Sequence, residues 1–272
     1  MKQRLPEPVI IYEDEHVLAV CKPSGMPTVV GRQTSLLSQR EWLARRIAGG
    51  DLRAVLPVHR IDRDTSGLLL FARTKDAQRS LSIQFQNREA AKQYLAIVAG
   101  GPLADTGLVE LAVGPDRRDP KRSRIDPKRG RPAATAYEVL QRFRGYALVR
   151  FFPRTGRRHQ IRLHAKALGC PLAVDPLYGE PSGLSVSKFK RDYHRNLAER
   201  AGREQHYVIR RLTLHAHRLT VQHPADASSL QVTAPLPKDM LAALKQLRRW
   251  AAVQPEPHES IEELVLREPA QI

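Results

Sequence analysis

Between Val58 and Phe71 the chain reads "VHRIDRDTSGLLLF", in which Arg60, Asp62, Arg63 and Asp64 carry alternating charge directly before an apolar run. A carboxylate with cations beside it stays ionised, and an ionised aspartate can act as nucleophile or charge stabiliser. The plain alternative is a polar turn, in which Asp62 or Asp64 caps the backbone and the arginines face water. Two features favour chemistry: Arg60 and Arg63 flank Asp62, and "LLLFA" gives the loop the rigid base that a positioned group requires. A second stretch, "RTGRRHQIRLHAKALG", places His159, Arg162 and Lys166 on one side of a helix, with Ile161, Ala165 and Leu168 turned inward. A solvated face is the bland reading of that stripe. Third, Tyr94 in "KQYLAIV" shares a strand face with Ala96 and Val98, where a tyrosine is ordinarily core.

The elements that must position these groups follow from hydrophobic period and from stop signals. Val9–Tyr12 and Val17–Cys21 read as strands joined by a polar turn. "TSLLSQREWLARRIAGG" reads as a helix with Thr34 or Ser35 as cap, Leu36, Leu43 and Ile47 on one face, and Gly49–Gly50 as its stop. "GLLLFA" is a buried strand, "TKDAQRSLSIQFQNR" a helix capped by Thr74, and "KQYLAIVAG" a strand. Val109–Val113, Ala134–Leu140 and "YALVRFFP" are further strands, and "HQIRLHAKALG" is a helix ended at Gly169. "LTLHAHRLTVQHP" and "LQVTAPLP" read as a closing strand pair, and "KDMLAALKQLRRW" as a helix with Met240, Leu244 and Leu247 inward. Strands and helices mix without regular βαβ alternation, which predicts an α+β fold with a mixed, largely antiparallel central sheet flanked by helices and loops. Residues 1–252 are expected as one domain, and the acidic, proline-bearing residues 253–272 as a loosely held tail.

Lysine plus arginine number 45 against 28 acidic residues, a net charge of +17. Such an excess opposes compaction and points to a polyanionic partner. The charge is clustered, with a net +6 between Arg117 and Arg131 and a net +4 between Lys188 and Arg203. Nucleic acid is the expected partner; an anionic membrane is disfavoured because no basic helix carries a bulky apolar face. No apolar run reaches the roughly 20 residues of a membrane helix, and Met1–Pro6 opens no signal peptide, so the expected setting is cytoplasmic. No G-x-x-x-x-G-K-[ST], G-x-G-x-x-G or G-x-S-x-G occurs, which disfavours an NTPase, a dinucleotide enzyme and a serine hydrolase. Cys21 and Cys170 lack ligand spacing, and His159 and His164 diverge around a helix. No metal and no cofactor are expected.

"HRIDRDTSGLLLFA", "KQYLAIV" and "RTGRRHQIRLHAKALGCPLAVDPLYG", in that order, closely resemble the RluA-type pseudouridine synthases. "YEDEHVLAVCKPSGMPT" and "LHAHRLTVQHP" fit the same family, so the resemblance runs from about Ile10 to Trp250. On this resemblance the chain is expected to start directly in the catalytic part, without the small RNA-binding domain that many members carry in front. The resemblance implies an isomerase that detaches uracil from N1 of a uridine in ribosomal RNA or tRNA and rejoins it through C5. It implies Asp62 as catalytic aspartate, Tyr94 as the tyrosine against the target base, and Arg162 as a guanidinium that grips Asp62 bidentately. Leu214 is implied below the uracil. The target uridine must leave its stack, so Arg60, Arg63 and His159 are expected at the RNA, with Arg122, Arg124, Lys128 and Arg129 of the first basic segment on its phosphates. The protein is expected to act as a monomer. Two other classes compete: a catalytically silent RNA-binding or ribosome-associated protein of the same fold, and a nucleosidase-like hydrolase.

Overall fold

The computed structural model describes residues 7–30, 37–102, 104–189, 207–253 and 259–270. The chain opens with β1 (Val9–Glu13) and β2 (Val17–Lys22), whose turn is closed by Asp14 accepting the N–H groups of His16 and Val17 at 2.7 Å each. Next come α1 (Gln39–Ile47), β3 (Leu56–Pro57), β4 (Ser66–Ala72), α2 (Lys75–Asn87) and β5 (Ala91–Ala99). The basic region is flanked by β6 (Thr106–Glu110) and β7 (Val113–Pro115), then β8 (Ser123–Ile125), β9 (Ala134–Phe143) and β10 (Tyr146–Pro153). After α3 (Gln160–Ala167) follow β11 (Leu184–Ser185), β12 (Tyr207–Ile209), β13 (Leu214–Gln222), β14 (Ser229–Thr233), α4 (Lys238–Ala251) and α5 (Ile261–Leu266).

The chain divides into two compact units. The first holds residues up to Tyr94 together with His215–Pro235; the second holds Leu95–Leu214 and the residues from Leu236 on. In the first unit the strand order is β1-β2-β4-β13, with β3 added to β4 and β14 to β13. The strands β4 and β13 run parallel, with His215 opposite Ser66 and Ala216 opposite Gly67. Every residue of β4 is buried, as its unbroken apolar run requires of a central strand. Leu43, Leu69, Phe71 and Leu81 meet in the core below it.

In the second unit β5, β10, β9 and β6 lie in that order, and β9 pairs antiparallel with both neighbours. The amphipathic α4 closes this sheet with Met240, Leu244 and Leu247, all fully buried. The mixed, largely antiparallel architecture expected from the sequence is the one observed.

Three local expectations change, and a fourth lies mostly outside the described residues. The cap of α1 is Ser38, which forms a capping box with Glu41; Thr34, Ser35 and Leu36 lie outside the described residues. The strand expected at Val109–Val113 is two strands, because Leu111 N–H and Val113 N–H turn to Ala133 and Arg131 carbonyls. Most of the second basic segment, from Lys190 onward, falls outside the described residues. Finally, the segment expected as a loose tail contains α5, with Ile261, Leu264 and Val265 buried in the core of the second unit. The fully buried Arg150 fixes it, pairing with Glu138 at 3.0 Å and donating to the carbonyls of Leu264, Val265 and Arg267. Its negative formal charge hides a short apolar stripe, which is why composition alone misread it.

Candidate active site

The Asp62 loop is held through its own backbone. Four successive carbonyls are taken: Ile61 by Thr28 Oγ1 at 3.1 Å, Asp62 by Thr65 N–H at 3.2 Å, Arg63 by Lys22 Nζ at 2.8 Å, and Asp64 by Ser24 Oγ at 2.6 Å. Gly25 N–H adds a second bond to the Arg63 carbonyl at 2.9 Å. The loop therefore rests on "KPSGMPT", the segment that ends β2, and a carboxylate presented on it cannot drift with its backbone. Lys22 is fully buried to do this. Its role, with those of Ser24 and Thr28, was invisible to spacing, since these residues precede the loop by some forty positions.

His59 supports the same loop from the other end. Its Nε2 accepts Leu70 N–H at 2.9 Å, and its ring stacks on Phe85 with centroids 4.3 Å apart. Burial, reinforced by the Lys92 charge, pushes its pKa down to about 3, so the ring stays neutral and keeps accepting.

Tyr94 lies in this unit with Asp62. Its ring is partly buried against the core around β4, and burial pushes the hydroxyl well above its usual range, with the Asp62 charge adding to the shift. It is a protonated phenol that the Asp62 carboxylate reaches electrostatically. The two arginines flanking Asp62 differ. Arg63 pairs with the neighbouring Asp64 at 3.0 Å, so it is a structural partner of that residue and not the symmetric counterpart of Arg60. Arg60 is exposed.

In the second unit the expected cationic stripe of α3 is absent. The helix is buried nearly all round, and Lys166 is the member of the stripe that faces water. His159 precedes the helix in the left-handed region, at φ 58°, and is only 8% exposed. Its Nδ1 meets the Tyr178 hydroxyl at 2.7 Å, which anchors the residue that leads into the helix. Gln160 fixes the helix start by donating to Ala134 O and Thr135 Oγ1 at 2.9 Å. His164 is a core histidine: Nε2 donates to Leu111 O and Nδ1 accepts from Thr135.

Arg162, 2% exposed, spends its fork on a residue that spacing did not reveal. Nε and Nη2 grip Asp175 at 2.8 and 2.5 Å. Asp175 also accepts the N–H groups of Leu177 and Tyr178, so it holds the Arg162 guanidinium on a fixed turn. The Tyr178 ring lies 4.9 Å from the Arg162 guanidinium and 5.2 Å from that of Arg122. Its hydroxyl accepts Ser123 N–H at 2.7 Å and donates to Ser123 O at 3.0 Å. Arg122, just before β8 and half-buried, donates to Leu177 O. Arg124 is tied to Asp126 at 2.7 Å, while Lys128 and Arg129 are exposed. Leu214 opens β13 at 3% exposure. Asp175 and Tyr178 stand in "DPLYG", a stretch quoted above only for its resemblance.

Among the described residues no group of His, Cys, Asp or Glu could hold a metal ion, and no helix is long and apolar enough to cross a membrane.

With this geometry in place, the chain can be set beside known proteins. The model of the RNA pseudouridylate synthase family matches residues 16–167, a span that includes Asp62, Tyr94 and Arg162. The chain belongs to that family. It is 37% identical over 228 residues to the dual-specificity RNA pseudouridine synthase RluA of Salmonella typhi, covering 84% of this chain and 92% of that one. An uncharacterized RNA pseudouridine synthase of Chloroflexus aurantiacus is 40% identical over 204 residues, covering 75% of this chain and 57% of its own. Among solved structures, human RNA pseudouridylate synthase domain containing 4 superposes with a TM-score of 0.67 at 26% identity, over 88% of this chain and 92% of that chain. The chain is an RNA pseudouridine synthase, an isomerase of uridine in RNA.

Proposed function

We propose that Asp62 is the catalytic carboxylate of uridine isomerisation in structured RNA, ribosomal RNA or tRNA, with Tyr94 as its protonated partner. The observation that carries this is the loop itself: four consecutive carbonyls are bonded, yet the aspartate at its centre shares a unit with a desolvated phenol that its charge reaches. A turn that existed only to cap itself would not need anchors forty residues away.

The reaction breaks N1–C1′ and makes C5–C1′; C5 loses a proton and N1 gains one, so no redox carrier or phosphoryl donor enters. Asp62 must be ionised whether it attacks or stabilises charge. Tyr94 offers a ring for the extruded base and a hydroxyl for proton transfer. Arg60, exposed beside Asp62, is the cation we assign to the displaced strand, with Lys128 and Arg129 on outer phosphates. Arg162 acts from its seat on Asp175. The Salmonella typhi relative named above carries dual specificity in its name; mapping pseudouridine in both ribosomal RNA and tRNA from cells with and without the gene tests whether this chain shares it. We further propose a cytoplasmic monomer that needs no metal or nucleotide.

Purified protein with a 5-tritiated uridine transcript should release tritium without releasing free uracil. Free uracil would support hydrolysis instead, and tritium retention with tight binding would support a silent RNA-binding protein.

A further inference from the structure

We propose that Lys92 and Arg88 form a phosphate-binding site for the substrate RNA strand, on the strand face that carries Tyr94. The inference rests on the RNA reading above and extends it to residues outside the motif positions assigned there.

Lys92 is two residues before Tyr94 on β5, so both side chains leave the same face, roughly 6.5 Å apart along the strand. That separation is comparable with the reach from a base to its own backbone phosphate. Lys92 is partly buried, yet no hydrogen bond or ion pair to its ammonium is made by any described residue. The strand β5 carries no acid, and the nearest acid in sequence, Glu89, accepts from Asn87 Nδ2 at 3.0 Å. What the ammonium does feel is more positive charge. Arg88, held at φ 66° as the left-handed cap of α2 and exposed, lies close enough to disfavour it, and His59, within reach of its charge, is neutral.

The bland alternative is a lysine laying its stem on apolar surface with its head in water. A head in water keeps its ordinary pKa, whereas burial first, and Arg88 second, lower that of Lys92. A desolvated ammonium beside a second cation is costly in the free protein and becomes favourable when an anion arrives. Next to a base-stacking tyrosine in an RNA enzyme, that anion is a phosphodiester oxygen. The pair then fixes the register of the strand, so that one base meets Tyr94.

The test uses the full chain and a short RNA stem-loop with a single loop uridine. Lys92→Met should weaken binding several-fold at low salt and reduce the slope of log Kd against log salt by roughly 0.7–0.9. The loss should fall on Kd and KM more than on the saturated single-turnover rate, and Lys92→Arg should recover most of it. Neutral methylphosphonate linkages, placed one at a time, should reveal one phosphate whose neutralisation weakens the parent but leaves Lys92→Met unaffected. The melting temperature of Lys92→Met should equal or exceed the parent's, because an unmatched charge has gone; should it fall, Lys92→Gln gives the same readouts with a polar head retained. An unchanged salt slope and an unchanged methylphosphonate profile would overturn the site. Collapse of the saturated rate with Kd intact would place Lys92 at the reacting atoms and also overturn it. A parent that binds this RNA with the expected profile but makes no pseudouridine from any transcript would contradict the activity and leave the phosphate site standing.

Discussion

At the scale of residues, the account depends on charges whose neighbours decide their use. Arg162 and Asp175 are 2% and 1% exposed, so removing one takes a buried bidentate partner from the other. Asp175→Ala should destabilise by about 3–5 kcal/mol and should lower the single-turnover rate as well, because Arg162 loses its orientation. Urea melts and single-turnover kinetics on one preparation check both. Tyr94→Phe separates differently: the ring stays and the hydroxyl leaves, so the chemical rate should fall strongly while Kd for RNA holds. His59 supplies a pH signature. Its folded pKa, about 3, lies below the ordinary value of 6.5, so the unfolded chain takes up a proton that the folded one refuses. Stability should be full above pH 6.5 and should fall as pH drops from 6.5 toward 3; His59→Gln should flatten that fall between pH 6.5 and 4.5, above the range where most carboxylates titrate. His164, lowered by burial, adds in the same direction and remains in the variant. The charge pattern raised Asp62 as a candidate, and the family resemblance joined Tyr94 and Arg162 to it. Neither exposed Lys22, Ser24, Asp175 or Tyr178, because their work is done on the backbone and side chains of residues far away in sequence.

At the scale of elements, Gly67 shows what the end of the "HRIDRDTSG" loop must satisfy. It sits at φ +111°, and a Cβ there would lie 2.1 Å from the Ala216 carbonyl oxygen of the paired parallel strand. Gly67→Ala should therefore break the start of the β4–β13 ladder, read as a large loss of melting temperature and of far-ultraviolet signal. The β7–β8 hairpin divides its cations. Lys128 and Arg129 face water, whereas Arg122 is bonded inward over Tyr178. Neutralising Lys128 and Arg129 together should lower the salt slope of RNA binding by roughly 1.4–1.8, and Arg122→Gln should instead show in the melt. Most elements were legible from periodicity and stop residues: Thr74 caps α2, Gly169 follows α3, and β4 is buried throughout. The start of α1 and the break after Glu110 were not, since both are decided by hydrogen bonds to other elements.

At the scale of the whole molecule, the net charge of +17 and the order of motifs indicated an RNA enzyme before any geometry was known. The weakest reading from composition was the tail, whose acids conceal Ile261, Leu264 and Val265, and whose carbonyls satisfy the buried Arg150. Ending the chain after Val253 should uncover the core surface this stripe packs against, remove three carbonyl partners of Arg150, and lower the melting temperature by several degrees. All these effects serve one claim, that the fold exists to hold a single carboxylate ionised on a fixed loop. Asp62→Asn removes the charge at nearly constant shape and leaves the Thr28, Lys22 and Ser24 bonds to the loop backbone in place. Tritium release from 5-tritiated uridine, at saturating RNA and with Kd measured on the same samples, is the direct measurement. The account predicts no detectable turnover with near-parental RNA affinity and melting temperature; turnover equal to the parent's would contradict it.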